Sequence, residues 1–109
     1  MIKFKYYGHA CFLLETDNEK LLFDPFLTGN PVASISADEV ECDYILLTHA
    51  HGDHYGDATQ IATKTGAKVI STPEVLTKLP SDYVKCSWYE FRWFVYFPIW
   101  YSNYGACIA

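Results

Sequence analysis

Three of the four histidines in the 109-residue sequence fall within the six residues HAHGDH, at positions 49, 51 and 54, with Asp53 among them. An apolar run, YILLT, leads directly into them. His49 and His51 are separated by one residue, so in extended chain both imidazoles point the same way and can share one ion. Ala50 and Gly52 beside them are small, which leaves room for a metal and lets the backbone turn sharply. Asp53 and His54 follow at a helix entry, within reach of a second ion. Imidazole and carboxylate together suit zinc, and iron or manganese also fit on geometry. The plainer reading is a polar turn with no ligand, but three histidines and an aspartate at this spacing after a buried strand favour the metal.

Such a cluster needs a scaffold, and the first half of the chain reads as strands joined by tight turns. IKFKYY alternates, ACFLLET is mostly apolar, and KLLFDPF follows the polar break TDNEK, which predicts three short strands in a meander. Asp17 and Asn18 suit the hairpin turn. LTGNPVASISADEVE reads as a loop with one helical turn at SADEV. YILLT is continuous and apolar, as expected of a strand covered on both faces. DATQIATKTGAK predicts a helix with Ala58, Ile61 and Ala62 on one face and Gly66 at its C-terminal stop. AKVIST reads as the next strand, and Pro73 opens a short helix, PEVLTKL. Strand, helix and strand with short connections imply a parallel pair, which puts HAHGDH at a strand-to-helix junction where ligands collect in α/β folds.

Bulk properties narrow the partners. The chain is long enough for one modest core, and its formal charge of -5 disfavours nucleic acid and anionic membrane surfaces. MIKFKYYGHA lacks the apolar segment and cleavage pattern of a signal peptide, so the cytoplasm is the expected compartment. Cys11, Cys42, Cys86 and Cys107 are scattered with no CxxC pair, which predicts free, mostly buried thiols.

HAHGDH matches the HxHxDH signature of the metallo-β-lactamase fold superfamily, and the opening YYGHACFLLETDNEKLLFDPFL resembles its small metal-dependent hydrolases, the branch similar to ascorbate-phosphate lactonases. The resemblance covers about the first 80 residues. It implies an α/β fold, the amino-terminal half of an αββα sandwich, with residues 1–80 as a partial domain and 81–109 as an atypical tail. It further implies that His49 and His51 hold one metal and that Asp53 and His54 hold the second. Asp24, in the FDP turn, matches a family aspartate that supports the metal loop, and His9, in GHA, matches a family histidine near the site. Each also has a plainer reading: Asp24 before Pro25 is a common turn arrangement, and His9 reads as a packed, hydrogen-bonded histidine. Among the tyrosines, Tyr55 is the one placed to touch a substrate. The implied chemistry is hydrolysis of a small-molecule ester, lactone or phosphoester by a metal-activated hydroxide, with Asp53 orienting the nucleophile.

The ligand count limits that implication. A complete family site takes further ligands from later in the chain, and this sequence has no histidine after His54. Two readings therefore stand: a metal-dependent hydrolase, and a catalytically inactive truncated fragment with at most weak metal binding. The stretch from Ser81 on holds all three tryptophans but shows neither clean alternation nor helical spacing. Arg92 and Pro98 interrupt it, so it does not read as a membrane span. Its composition suggests translation in a shifted frame. Tryptophan has one codon, TGG, and Trp88, Trp93 and Trp100 each precede Tyr or Phe, so the triplet one base later encodes glycine. The gene sequence across codons 80 to 110 decides this. Half a sandwich also leaves one apolar sheet face without its partner, which predicts self-association.

Overall fold

The computed structural model describes residues 1–80 and the strand Cys107–Ile108. The tail expectations, including the shifted frame, otherwise fall outside the described residues. One sheet runs in chain order through β1 (Lys3–Gly8), β2 (Cys11–Glu15), β3 (Lys20–Phe23), β4 (Tyr44–Leu46), β5 (Lys68–Ser71) and β6 (Cys107–Ile108). β1 to β3 form the expected antiparallel meander, whereas β4 is parallel to β3 and β5 is parallel to β4. β6 returns antiparallel to β5, with Ile70 opposite Ile108.

The β4 to β5 crossover contains α1 (Gly52–Tyr55) and α2 (Ala58–Thr65). α2 buries Ala58, Ile61 and Ala62, and stops where Gly66 takes a left-handed φ of 74° and its amide bonds to the Ala62 carbonyl. The helical turn expected at SADEV is a short 3₁₀ turn, Ala37–Glu39. α3 (Pro73–Leu76) follows β5 with proline in its first turn, and is shorter than PEVLTKL suggested. Among the described residues, no helix is long and apolar enough to cross a membrane.

The core lies on one sheet face. Cys11, Leu13, Leu22, Ile45 and Val69 point toward Ile61 and Ala62 of α2 and toward Ala37 and Val40. On the opposite face the register lines up Phe4, Tyr6, Phe12, Leu14, Leu21, Phe23, Tyr44, Leu46 and Ile70, all exposed or half-buried. Phe12 stacks on Phe23 at 4.4 Å, and Phe4 leans on Phe12 at 5.3 Å. This corrects one sequence expectation: among the described residues, nothing packs over the second face of YILLT. Ile45 and Leu47 are buried, but Tyr44 and Leu46 are half-buried, because α2 and the 3₁₀ turn cover only the side to which Ile45 points.

Direction matters more than layering for the site. β1 and β3 are each antiparallel to β2, so they run parallel to one another and to β4. Their three C-terminal ends therefore open on one edge of the sheet, carrying His9, Asp24 and the segment from Thr48 to His54.

Candidate metal centre

His49 and His51 follow β4, and His51, extended at φ -63° and ψ 145°, is the last residue before α1. Asp53 falls in the first turn of that helix and His54 in the last. The site thus joins a strand end to a single helical turn, which places four candidate ligand side chains within six residues. His49 Nε2 lies 3.1 Å from His51 Nδ1, and the His49 ring packs against His54 at 4.0 Å.

Two further strand ends close around this loop. Asp24, after β3, is buried and takes a positive φ of 39°. Its Oδ1 accepts from the Thr48 amide at 2.8 Å, and its Oδ2 accepts from the Thr48 hydroxyl at 2.7 Å and from His54 Nδ1–H at 3.0 Å. Buried carboxylate oxygens require such donors, and here all of them come from the metal loop. Asp24 also shapes its own turn, since its carbonyl accepts from the Phe26 amide at 2.7 Å. The turn reading and the supporting reading of Asp24 both describe what it does.

These bonds fix protons. His54 Nδ1 carries a hydrogen for the Asp24 carboxylate, which leaves the Nε2 lone pair available to a cation. The single Thr48 hydroxyl proton is committed to Asp24, so Thr48 Oγ1 accepts from His49 Nδ1–H at 2.8 Å. His49 Nε2 is then unprotonated as well. Thr48 was not singled out from the sequence, because a threonine at a strand end is ordinary. Its role shows only once Asp24, 24 residues earlier, is brought beneath it.

His9, after β1, also has a positive φ, 56°. Its side chain is 45 % exposed, while its ring meets Phe26 edge-on at 6.1 Å. Its Nε2 lies 3.1 Å from Asp53 Oδ2 and 3.3 Å from His54 Nε2. His9, Asp53 and His54 form a group whose ligand atoms all fall within 4.8 Å of one another, a donor set of two imidazoles and a carboxylate that fits a divalent ion. Partial desolvation raises the Asp53 carboxyl, but its own backbone amide and the imidazoles of His54 and His9 outweigh this and hold it below the usual carboxylate range.

The loop is secured from outside by Asp57, another residue the sequence reading passed over. Its Oδ2 accepts from the Leu27 and Thr28 amides at 3.1 and 2.8 Å, and its own amide donates to the Pro25 carbonyl at 2.9 Å. Lys78 Nζ donates to the Ala50 carbonyl at 3.1 Å. The Tyr55 hydroxyl is engaged with Thr59 Oγ1 at 2.6 Å, which turns it toward α2.

Comparison with known proteins places this architecture. The metallo-beta-lactamase superfamily profile matches residues 6–104, past the extent covered by the motif resemblance. A UPF0173 metal-dependent hydrolase of Thermococcus kodakarensis is 53% identical over 75 residues, covering 69% of this chain and 33% of the relative. One from Thermus thermophilus is 38% identical over 111 residues, covering 94% of this chain and 49% of the relative. The solved metallo hydrolase Igni18 of Ignicoccus hospitalis superposes with a TM-score of 0.64 at 36% identity, over 71% of this chain and 34% of that one. The chain spans between a third and a half of the length of these relatives. A profile match over nearly the whole chain, on a mixed α/β sheet that gathers its histidines and Asp24 at three parallel strand ends, leads to one assignment: the chain belongs to the metallo-beta-lactamase superfamily.

Proposed function

We propose that this chain is a metal-dependent hydrolase acting on a small-molecule ester, lactone or phosphoester. His49 and His51 would hold one divalent ion, and Asp53 and His54 a second, with zinc the ion best suited to the donors and iron or manganese also fitting. The observation that carries this reading is the 3.0 Å contact of His54 Nδ1 with buried Asp24, which turns Nε2 toward Asp53 and His9. When bound, such ions supply Lewis acidity and make hydroxide available near neutral pH.

The chain's own groups supply the rest. Asp53, kept ionised by its neighbours and 52% exposed, can both ligate the ion and orient a water molecule. Asp24 and Thr48 keep His54 and His49 from rotating, so the donor atoms need little reorganisation. The uncovered apolar sheet face would pair with a second copy of the chain.

A second reading has its own support. Three histidines and Asp53 are spread over two ions, two ligands to each, which favours a catalytically inactive truncated fragment with at most weak metal binding. One experiment separates the two: zinc content of the purified chain, followed by turnover of p-nitrophenyl acetate and bis(p-nitrophenyl) phosphate, with Asp53→Asn as the control. Zinc-dependent turnover lost in the variant supports the hydrolase. Weak or absent zinc binding without turnover supports the inactive fragment, and tight stoichiometric zinc without turnover sinks both.

A further inference from the structure

We infer that His9 is the third protein ligand of the ion held by Asp53 and His54. The inference rests on the metal-binding reading above and adds to it a residue outside the HAHGDH loop.

Three distances carry it. His9 Nε2 is 3.1 Å from Asp53 Oδ2 and 3.3 Å from His54 Nε2, and His54 Nε2 is 3.9 Å from Asp53 Oδ2. Ligand atoms each about 2 Å from a shared tetrahedral zinc stand roughly 3.3 Å apart. The triangle formed by these three atoms is thus close to one face of such a tetrahedron. A polar contact without a cation needs no third partner at that spacing, and two imidazole nitrogens facing each other are held together by a single proton at best.

The position of His9 is built rather than incidental. It occupies a left-handed backbone conformation uncommon for a residue with a side chain, directly after Gly8 at φ 103°. The Tyr6 hydroxyl donates to the His9 carbonyl at 2.9 Å, and Phe26 meets the imidazole edge-on with ring centres 6.1 Å apart. These contacts aim the ring over α1, across 44 residues of chain.

Among the histidines, His49 and His51 face each other at 3.1 Å, and His9 is the imidazole that faces Asp53 and His54 together.

The test is zinc affinity of the full chain, measured by competition with a chromophoric chelator, together with the visible spectrum of the cobalt-loaded form. His9→Asn removes the imidazole while keeping a residue that tolerates positive φ. It should lose at least about tenfold in affinity for one ion, the lower end of what loss of a supporting residue alone costs, and change the cobalt bands. Wild-type affinity and spectrum in His9→Asn, with binding abolished in His54→Asn, overturn the inference and leave the Asp53 and His54 site standing. A wild-type chain that binds no zinc overturns both. Should His9→Asn fail to fold, the ¹¹³Cd-loaded, ¹⁵N-labelled wild-type chain gives the answer: a cadmium–nitrogen coupling to His9 Nε2 is expected. Coupling to His54 Nε2 without one to His9 overturns the inference.

Discussion

Asp24 holds Thr48 through both carboxylate oxygens, one on the amide at 2.8 Å and the other on the hydroxyl at 2.7 Å. A single buried acid therefore sets both the backbone where the metal loop starts and the side chain that carries its first histidine. Asp24→Asn keeps the size and tolerates the positive φ, but it offers only one good acceptor to three donors. We expect zinc affinity to fall by about 10–100-fold. The unfolding free energy should drop by about 1–3 kcal/mol as a buried donor loses its partner. Chelator competition and urea denaturation read the two effects separately, and unchanged values in both would remove Asp24 from the support of the loop.

Thr48→Val isolates the hydroxyl. The valine keeps the shape, leaves the Asp24 to His54 bond in place, and deprives His49 Nδ1 of its acceptor at 2.8 Å. Zinc affinity should fall about tenfold. Thr48→Ser should restore it, because the serine hydroxyl can make both bonds. If valine binds zinc as tightly as threonine, His49 needs no fixed tautomer.

The local elements were legible in the sequence because their signals are local. Alternation in IKFKYY and the Gly66 stop after Ala62 correspond to β1 and to the end of α2. The site was legible only where its residues are contiguous. His9, Asp24, Thr48 and Asp57 meet across 24 to 45 residues of chain, through a β1 to β3 to β4 parallel alignment that no single segment encodes. Coverage of β4 failed for a similar reason. Apolar continuity in YILLT shows that both faces are greasy, not that both are packed.

The thiols provide a pH prediction. Burial, reinforced by the Asp24 and Asp57 carboxylates, pushes Cys11 up to about 12, and burial pushes Cys42 up to about 11. Both lie above the ordinary thiol range of about 8.5. The stability they contribute is complete below the unfolded value and is lost as pH rises through the folded ones. Tyr7, raised by burial, acts in the same direction. The urea midpoint should therefore decline from pH 8.5 toward pH 11, and Cys11→Ala with Cys42→Ala should flatten that decline. At pH 8, peptide mapping after brief iodoacetamide treatment should find Cys11 and Cys42 unlabelled until urea is added. Rapid native labelling at both would show that neither is enclosed.

Gly56 sits where α1 ends, at φ 45°, with its amide bonded to the Gly52 carbonyl at 3.0 Å. A Cβ there would collide with the Pro25 carbonyl and lie 2.7 Å from Phe26 Cα, both backbone atoms that cannot yield cheaply. Gly56→Ala should cost about 2 kcal/mol or more, combining left-handed strain with displacement of the turn after Asp24. Gly52→Ala is the matched control, since nothing lies within 4 Å of its added Cβ. Equal urea midpoints for the two variants would show that the loop after β3 gives way freely.

The uncovered sheet face makes the final prediction. Phe4 is 61% exposed and begins a row through Leu14, Leu21 and Tyr44 that ends at Lys68, while the next row runs from Tyr6 through Phe12, Phe23 and Leu46 to Ile70, so Lys68 is the one charge in these two rows. The charged side chains of β1, Lys3 and Lys5, alternate onto the other face, so two copies meeting through the apolar faces would bring no like charges together from this strand. Contiguous apolar surface of this kind drives association in water at about 25 cal/mol per Å² buried. Sedimentation equilibrium should show an average mass that rises with concentration above the 12.5 kDa of one chain. Phe4→Glu should lower it by placing a charge in the middle of the contact, while Lys3→Glu on the opposite face should leave it unchanged. A wild-type chain that stays at the mass of one copy at every concentration would show that this face does not pair with a second copy.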